Sequence, residues 1–487
     1  MIALISAAVA DDSLPTAAEH QRWNDISTLL KARSDVNVAQ VDGMTALHWA
    51  VYHDHAETVE KLIDADANVN ASNRYGVTPL SLACVNGNAV IVEQLLNAKA
   101  DADVAINGGE TPLMTAARTG RLRPVQQLMK HGAKVDAKDW KGQTALMWAA
   151  SSGIADVVQA LLDAGADRSA TLKSGFNSLF FAIREGQTQA ALTLLAAGDD
   201  VNSTMNPNRS GGKAPRKGTS PLILAVENGH FELAVELLKY GADPNDQRSG
   251  FTALHTITWV RKPDRGDNPE GDPSPIGSGN LSSLQFVEKL VQAGADVNVR
   301  LKEGHSGRGR LNQKGATPFL FAADTADVPL MKLLLKLGAD PHIPNADGCP
   351  PLLAAAGIGS LAPGEEAGTE EEALEAVKLL LELGADIDTV DDNGETAMHG
   401  AAYKCLPEMV RYLAANGADI GVWNRPNKYK WTPLLISQGF RPGNFKPAPA
   451  TTAAIESVMR SKGVEPPPAP DRPENNSNYA KPEKKSP

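Results

Sequence analysis

The sequence is poor in cysteine and in aromatic residues, and it has no long apolar run. Among 487 residues there are 3 cysteines, Cys84, Cys349 and Cys405. So odd and scattered a set supplies neither a disulfide framework nor zinc-ligand spacing. Cys84 stands where sister segments carry Ala or Val, which is the place of a small core residue. Aromatic residues make up only 5%, which speaks against a large sheet of β-branched and aromatic residues. No stretch approaches the roughly 18–20 apolar residues of a membrane-spanning helix. A basic surplus is also missing. The net charge of −11 argues against nucleic acid as the main partner, because phosphate binding calls for a basic surface. There is no Gly-x-Ser-x-Gly elbow, no phosphate-binding loop, no zinc-spaced His/Glu pair and no Cys/His constellation. The chain is therefore read as a non-enzyme with no catalytic, cofactor or metal residue.

The first residues, MIALISAAVADD, join an apolar stretch to Ala8-Val9-Ala10, a small-x-small cleavage pattern, and then to acidic residues. A basic n-region is lacking and the apolar stretch is short. Two readings stay open. Residues 1–10 are the remnant of a signal peptide whose true start lies upstream, which makes the protein periplasmic or secreted. Otherwise they are a plain apolar tail on a cytoplasmic protein.

What is present is repetition. Gly-Ala-Asp recurs at Gly165, Gly241, Gly294, Gly338, Gly384 and Gly417, with degenerate copies at Arg33, Asp66, Lys99, Gly132, Gly198 and Gly463. Up to Gly198 every step is 33 residues. The later steps are 43, 53, 44, 46, 33 and 46 residues, so five of the last six carry insertions. Residues 142–174 show the grammar of one unit. Gly142 permits the positive φ of a turn. Thr144 is placed to cap a helix. Ala145 follows, where other units have Pro79, Pro112 or Pro221, and proline suits a first helical position. Leu146, Ala149 and Ala150 form a small apolar face, Gly153 interrupts it, and ADVVQALLDA is a second helix by its apolar spacing. Gly165 closes that helix.

The segments GMTALHWAVYHDHAETVEKLIDADANVN, GVTPLSLACVNGNAVIVEQLL and GETAMHGAAYKCLPEMVRYLAANGADI resemble the ankyrin repeat, and the resemblance covers residues 20–464. It implies an all-α solenoid of about 12 units, each a helix pair with a projecting β-hairpin, running on the order of 100 Å if neighbouring helices lie ~8–10 Å apart. Residues 15–41 read as an N-terminal capping repeat and 42–202 as regular repeats. Residues 203–424 read as repeats with insertions, 425–464 as a C-terminal capping repeat, and 465–487 as a disordered proline-rich polar tail.

The resemblance also implies a role, binding a protein partner through the concave face and the hairpin tips. Just after the paired alanines stand Tyr52 and His53, Val85 and Asn86, Arg118 and Thr119, Ser151 and Ser152, Arg184 and Glu185, Glu227 and Asn228, Asp324 and Thr325, and Tyr403 and Lys404. Near hairpin tips lie Met44, Arg74, Tyr75, Trp140, Lys141, Phe176 and Phe251. Tyr, Trp and Arg dominate binding hot spots. The expected partner-binding set is Tyr52, His53, Tyr75, Arg118, Trp140, Lys141, Arg184, Glu185, Glu227, Asn228, Tyr403, Lys404 and Trp431. The last comes from an aromatic and basic stretch, residues 422–447, that serves either a partner or the seal of the final repeat. The histidines of the T-x-L-H start, His48, His255 and His399, are implied to bond the neighbouring turn.

Four insertions remain. Residues 203–216 and 300–313 are basic and Gly-rich, and as projecting mobile hairpins they would suit an acidic partner or a phosphate. Residues 261–279 and 357–370 fall between paired helices. The first of these holds Asp264, Asp267, Glu270 and Asp272, without the spacing of an EF-hand, and the tripeptide Arg265-Gly266-Asp267. The leading expectation is a monomeric, non-catalytic scaffold for a protein partner, with function concentrated in the decorated half after residue 200. The alternatives are an enzyme or enzyme accessory subunit using the insertions with His255 and His305, or a polyanion or envelope-surface binder using the basic hairpins.

Overall fold

The computed structural model describes residues 13–209, 216–264, 273–307, 310–441 and 446–469. They form short helices in pairs, grouped into two compact units, residues 1–217 and 218–487. The proposed leader at 1–10, most of the tail, and the acidic residues Asp267, Glu270 and Asp272 lie outside the described residues.

Each repeat is punctuated by residues whose backbone preferences are local. Thr78 stands in the extended conformation, its hydroxyl accepting from Ser81 N, and Pro79 opens the helix Pro79–Asn86. Gly87, at φ +73°, ends that helix in the left-handed region. Asn88 then caps Ala89–Asn97 by accepting from the amides of Val90 and Ile91. Threonines 45, 111, 144, 252, 317 and 432 cap first helices in the same way.

In the N-terminal unit, first helices pack side by side from Leu14–Glu19 to Ser178–Arg184, and second helices stack behind them from Trp23–Lys31 to Thr188–Ala196. Leu80, Ala83, Ile91 and Leu95 and their equivalents in neighbouring repeats are fully buried. Cys84 is among them, as its alanine-like position implied. Between repeats a ladder of side-chain bonds follows the Gly-Ala-Asp turns. The Asn68 amide donates to Asn37 Oδ1 at 2.7 Å, Asp101 to Asn70 at 2.7 Å, Lys134 to Asp103 at 2.8 Å and Asp167 to Asp136 at 2.9 Å. Each such bond contributes roughly 1 kcal/mol net.

The C-terminal unit repeats the plan. First helices run from Pro221–Glu227 to Pro433–Ser437 and second helices from Phe231–Lys239 to Pro449–Ser461. The side-chain ladder persists, with Asp296 N on Asn245, Asp340 N on Asn298 and Asp419 N on Asp388, each at 2.8 Å. The expected β-hairpins are shorter than the resemblance implied. Among the described residues no strand forms, and the only pairings are isolated bridges at Ala39–Thr45 and Gly307–Arg310. Neighbouring tips instead share one backbone bond, such as Arg74 N to Asp42 O at 3.0 Å or Trp140 N to Gly108 O at 3.1 Å.

The basic hairpin insertions do not project as loose loops over their described parts. Met205 is buried and Asn208 N donates to Lys173 O. Leu301 belongs to a core cluster with Ala316, Leu320, Phe321 and Ala354, against which Leu311 packs. An apolar residue within each insertion ties it to its own unit.

Candidate partner-binding face

The residues that a partner would meet are set by the 33-residue step. Tyr52, Val85, Arg118, Ser151 and Arg184 occupy one position at the end of five successive first helices in the N-terminal unit. Tyr52 is 56% exposed, and Val85, Arg118 and Arg184 are exposed as well. The repeat core is complete beneath them, so burial does not account for these side chains.

Tyr52, Arg118 and Arg184 are held by neighbours. Tyr52 meets Trp49 edge-on at 5.6 Å and His53 at 5.1 Å. Trp23 stacks on His55 at 4.4 Å, and Trp49 donates its indole proton to Gln40 Oε1 at 2.8 Å. Arg118 lies 5.8 Å over the Trp148 ring and pairs with Glu110 at 3.2 Å. Arg184 sits over Phe176 and Phe181 at 5.0 and 5.1 Å and pairs with Glu185 at 2.7 Å. Cation–π contact of this kind fixes a guanidinium without burying it. At the tips, Arg74 covers Tyr75 and donates to its hydroxyl at 2.7 Å, and Trp140 is 82% exposed beside exposed Lys141. The aromatic supports Trp49, Trp148 and Phe181 were not singled out from sequence. All three stand one helical turn before the post-alanine position, and that spacing would have found them.

The C-terminal counterparts behave differently. Glu227 and Asn228 are half-buried, and Asn228 Nδ2 donates to Leu224 O at 2.8 Å in its own helix. Tyr403, Lys404 and Trp431 are buried, which corrects the expectation that they face a partner. Tyr403 donates its hydroxyl to Glu395 Oε1 at 2.8 Å, and Asn427 Nδ2 reaches the same oxygen at 2.8 Å. Burial pushes the Glu395 carboxyl up to about 7, with Asp391 adding to the shift and Tyr403 and Asn427 opposing it. Trp431 is 9% exposed and packs against Tyr429 at 5.3 Å.

Lys404 is covered by the insertion at 357–370, donating to Ala367 O at 2.7 Å. Burial lowers its pKa, opposed by Asp324, Glu366, Glu372 and Asp264. The Asp324 carboxyl is pushed up to about 7 by burial, with Lys404 pulling the other way. Asp264, from the insertion at 261–279, accepts from the Ala367 amide, and Lys262 pairs with Glu372. Arg261 holds the fully buried Asp327 with two bonds, at 2.7 and 3.0 Å. At Gly359, φ +101°, a Cβ would lie 2.6 Å from Leu311 N, so the insertions at 357–370 and 300–313 are in close contact. The insertion at 357–370 lies over Lys404, and Gly277 of the insertion at 261–279 comes against Gly229, beside the half-buried Glu227 and Asn228.

The histidines do what the resemblance implied for two of the three. His48 Nε2 bonds Val77 O at 3.1 Å and His255 Nε2 bonds Ala316 O at 3.2 Å, while their Nδ1 atoms face Thr45 and Thr252 at 2.8 Å. His399 Nδ1 faces Thr396 at 3.0 Å. Burial drives His255 down to about 3 and His399 to about 4, so both stay neutral. Among the described residues no group of three His, Cys, Asp or Glu could hold a metal, and no helix is long and apolar enough to cross a membrane.

Comparison with known proteins agrees with this architecture. The profile described as ankyrin repeats in three copies matches residues 14–107, 91–171, 138–205, 179–261 and 367–441, and the single-repeat profile matches 314–346. The B-cell lymphoma 3 protein homolog of Mus musculus is 34% identical over 256 residues, 52% of this chain and 46% of that protein. The phosphocholine transferase AnkX of Legionella pneumophila is 24% identical over 238 residues, 39% of this chain and 22% of that protein. Ankyrin repeat and SOCS box protein 6 of Homo sapiens is 29% identical over 181 residues, 37% and 34% respectively. The chain spans less than half the length of each of these relatives. Arrays of this kind are protein-interaction modules as a class. With the profiles covering well over half of its residues, and with helix pairs stepping by 33, the chain belongs to the ankyrin-repeat family.

Proposed function

We propose that the chain is a non-catalytic scaffold whose protein partner docks on the exposed face and hairpin tips of the N-terminal unit. One observation carries this. Tyr52, Val85, Arg118 and Arg184 stand in register and exposed over a core that does not need them, and Tyr52, Arg118 and Arg184 are braced by their neighbours. Aromatic and arginine anchors on a rigid support lose little side-chain entropy on binding. In the C-terminal unit Tyr403 is buried against Glu395 and Asn427 and Lys404 is covered by the insertion at 357–370, which moves the proposed site away from the decorated half. Export of the protein, read from residues 1–10, is part of the proposal.

The test is crosslinking and affinity capture from the native host with the cellular fraction recorded, comparing the wild type with a Tyr52→Ala, Arg118→Ala double variant. A specific partner, lost or weakened at least tenfold in the variant, is the expected result. Equal capture by both proteins overturns the site. The phosphocholine transferase relative keeps an enzyme reading in the experiment. Turnover of a small substrate by the purified chain, with no partner recovered, would replace the scaffold by that reading.

A further inference from the structure

One stretch of the N-terminal unit carries a charge pattern that the chain as a whole does not. The protein has a net charge of −11. Yet between residues 118 and 141 there are seven basic residues, Arg118, Arg121, Arg123, Lys130, Lys134, Lys138 and Lys141, against the two acids Asp136 and Asp139. Three successive positions matter most, because they lie at or beside consecutive tips. These are Lys138, Lys141 and, one repeat on, Lys173, and all three are exposed.

Both acids accept from backbone amides, Asp136 from that of Asp167 at 2.9 Å. Asp139 Oδ1 accepts from the amides of Lys141 and Gln143, both at 2.8 Å, closing its own turn. Trp140 stands between Lys138 and Lys141 at 82% exposure, its ring edge against Gly109 of the preceding tip. The Gly109 contact is close, since a Cβ there would come within 3.0 Å of Trp140 Cδ1. The indole is thus propped by its neighbour while most of its surface stays in water. Farther along, the tip pair Arg74 and Tyr75 is exposed, with Tyr75 N–H and Val77 N–H satisfied by Asn73. Backbone bonds from Arg74 N to Asp42 O, Asn107 N to Tyr75 O and Trp140 N to Gly108 O link the tips into one ridge.

We infer that this ridge binds an acidic, extended segment of a protein partner, with Trp140 and Tyr75 gripping its apolar side chains. The inference rests on the docking proposal above and narrows it to a partner chemistry. Charge complementarity selects the acid, because Lys138 and Lys141 at one tip and Lys173 at the next offer carboxylates two basic points one repeat apart. Tips set roughly 10 Å apart match about three residues of extended chain at ~3.3 Å each. The tips from Arg74 to Lys173 therefore accommodate a segment of about ten residues. Apolar and aromatic side chains at alternate positions of that segment would fall on the rings.

The probe is a labelled ten-residue peptide of glutamate and serine with one central phenylalanine, followed by fluorescence anisotropy against the full chain. Comparison ligands are the same peptide with lysine for glutamate, a ten-nucleotide single strand, and anionic vesicles. The expected result is saturable binding of the acidic peptide alone. It should weaken about tenfold between 50 and 300 mM salt, at least tenfold in a Lys138→Glu, Lys141→Glu, Lys173→Glu triple variant, and severalfold in Trp140→Ser. All these positions are exposed, and circular dichroism of each variant checks that it remains folded. Tighter binding of the single strand or the vesicles, or a triple variant that binds the acidic peptide unchanged, overturns the inference. The host partner separates this from the broader proposal. A partner retained by the triple variant but lost with Tyr52→Ala, Arg118→Ala sinks the acidic ridge and leaves the docking face. A partner retained by both variants sinks both.

Discussion

Glu395 places a carboxyl in the C-terminal unit where the fold holds it against its own chemistry. The side chain is 3% exposed, and its Oε1 accepts from Tyr403 and from Asn427. Burial raises its pKa from 4.5 to about 7. In the unfolded chain the group ionises near its ordinary value, while the folded chain keeps the proton until pH 7. Its contribution is therefore fully present below about pH 4.5 and is lost as the pH rises through 7. The shift of about 2.5 units corresponds to an upper bound of ~3 kcal/mol. Glu395→Gln keeps an oxygen for both donors and removes the titration. Urea unfolding at pH 8 should show the variant more stable by about 1–3 kcal/mol, and at pH 4.5 the two proteins should agree within about 0.5 kcal/mol. His255 and His399 act in the opposite direction. Their folded pKa values, about 3 and about 4, lie below 6.5, so their contribution is lost as the pH falls below 6.5. They are common to both proteins and cancel in the difference. A variant destabilised equally at both pH values, or stabilised more in acid, would refute the reasoning.

Three further outcomes follow from packing and backbone geometry. Asp327→Ala removes a fully buried carboxylate, strips the half-buried Arg261 of its two bonds and the helix Val328–Lys336 of its cap. It should cost about 3–5 kcal/mol, and a loss under about 1 kcal/mol in the urea midpoint would contradict the bridge. Gly218 and Gly165 both sit at φ +85°, but a Cβ on Gly218 would come 2.0 Å from Arg248 O while one on Gly165 meets nothing within 4 Å. Gly165→Ala should cost about 1 kcal/mol and Gly218→Ala at least ~2 kcal/mol more, with equal melting shifts as the contrary result. Thr317→Ala removes a fully buried cap that accepts from Leu320 N at 3.1 Å. It should lower stability by about 0.5–2 kcal/mol, whereas Thr317→Ser should restore most of the loss.

Much of the fold was legible because its signals act over a few residues. The threonine, proline and glycine of each repeat fix backbone angles within one turn, so helix pairs fall where the 33-residue step places them. The exposed face of the N-terminal unit was legible for the same reason, since Tyr52, Arg118 and Arg184 recur at one position of a regular step. The Trp148 ring beneath Arg118 was less visible, because the contact joins residues 30 apart in neighbouring repeats.

The amino-acid sequence by itself determined the repeat, its helix pairs, its caps and the register of its surface positions. Only the tertiary structure decided which of those positions stay open to a partner. Tyr403 and Lys404 occupy the same repeat positions as the exposed Tyr52 and Glu185, yet they are buried. Tyr403 meets Asn427, 24 residues on, and Lys404 is covered from an insertion with no periodicity. Lys404 meets Ala367, 37 residues away, and Arg261 meets Asp327, 66 residues away. A local pattern cannot report such contacts, because they depend on where an irregular segment comes to rest once the repeats beneath it have stacked.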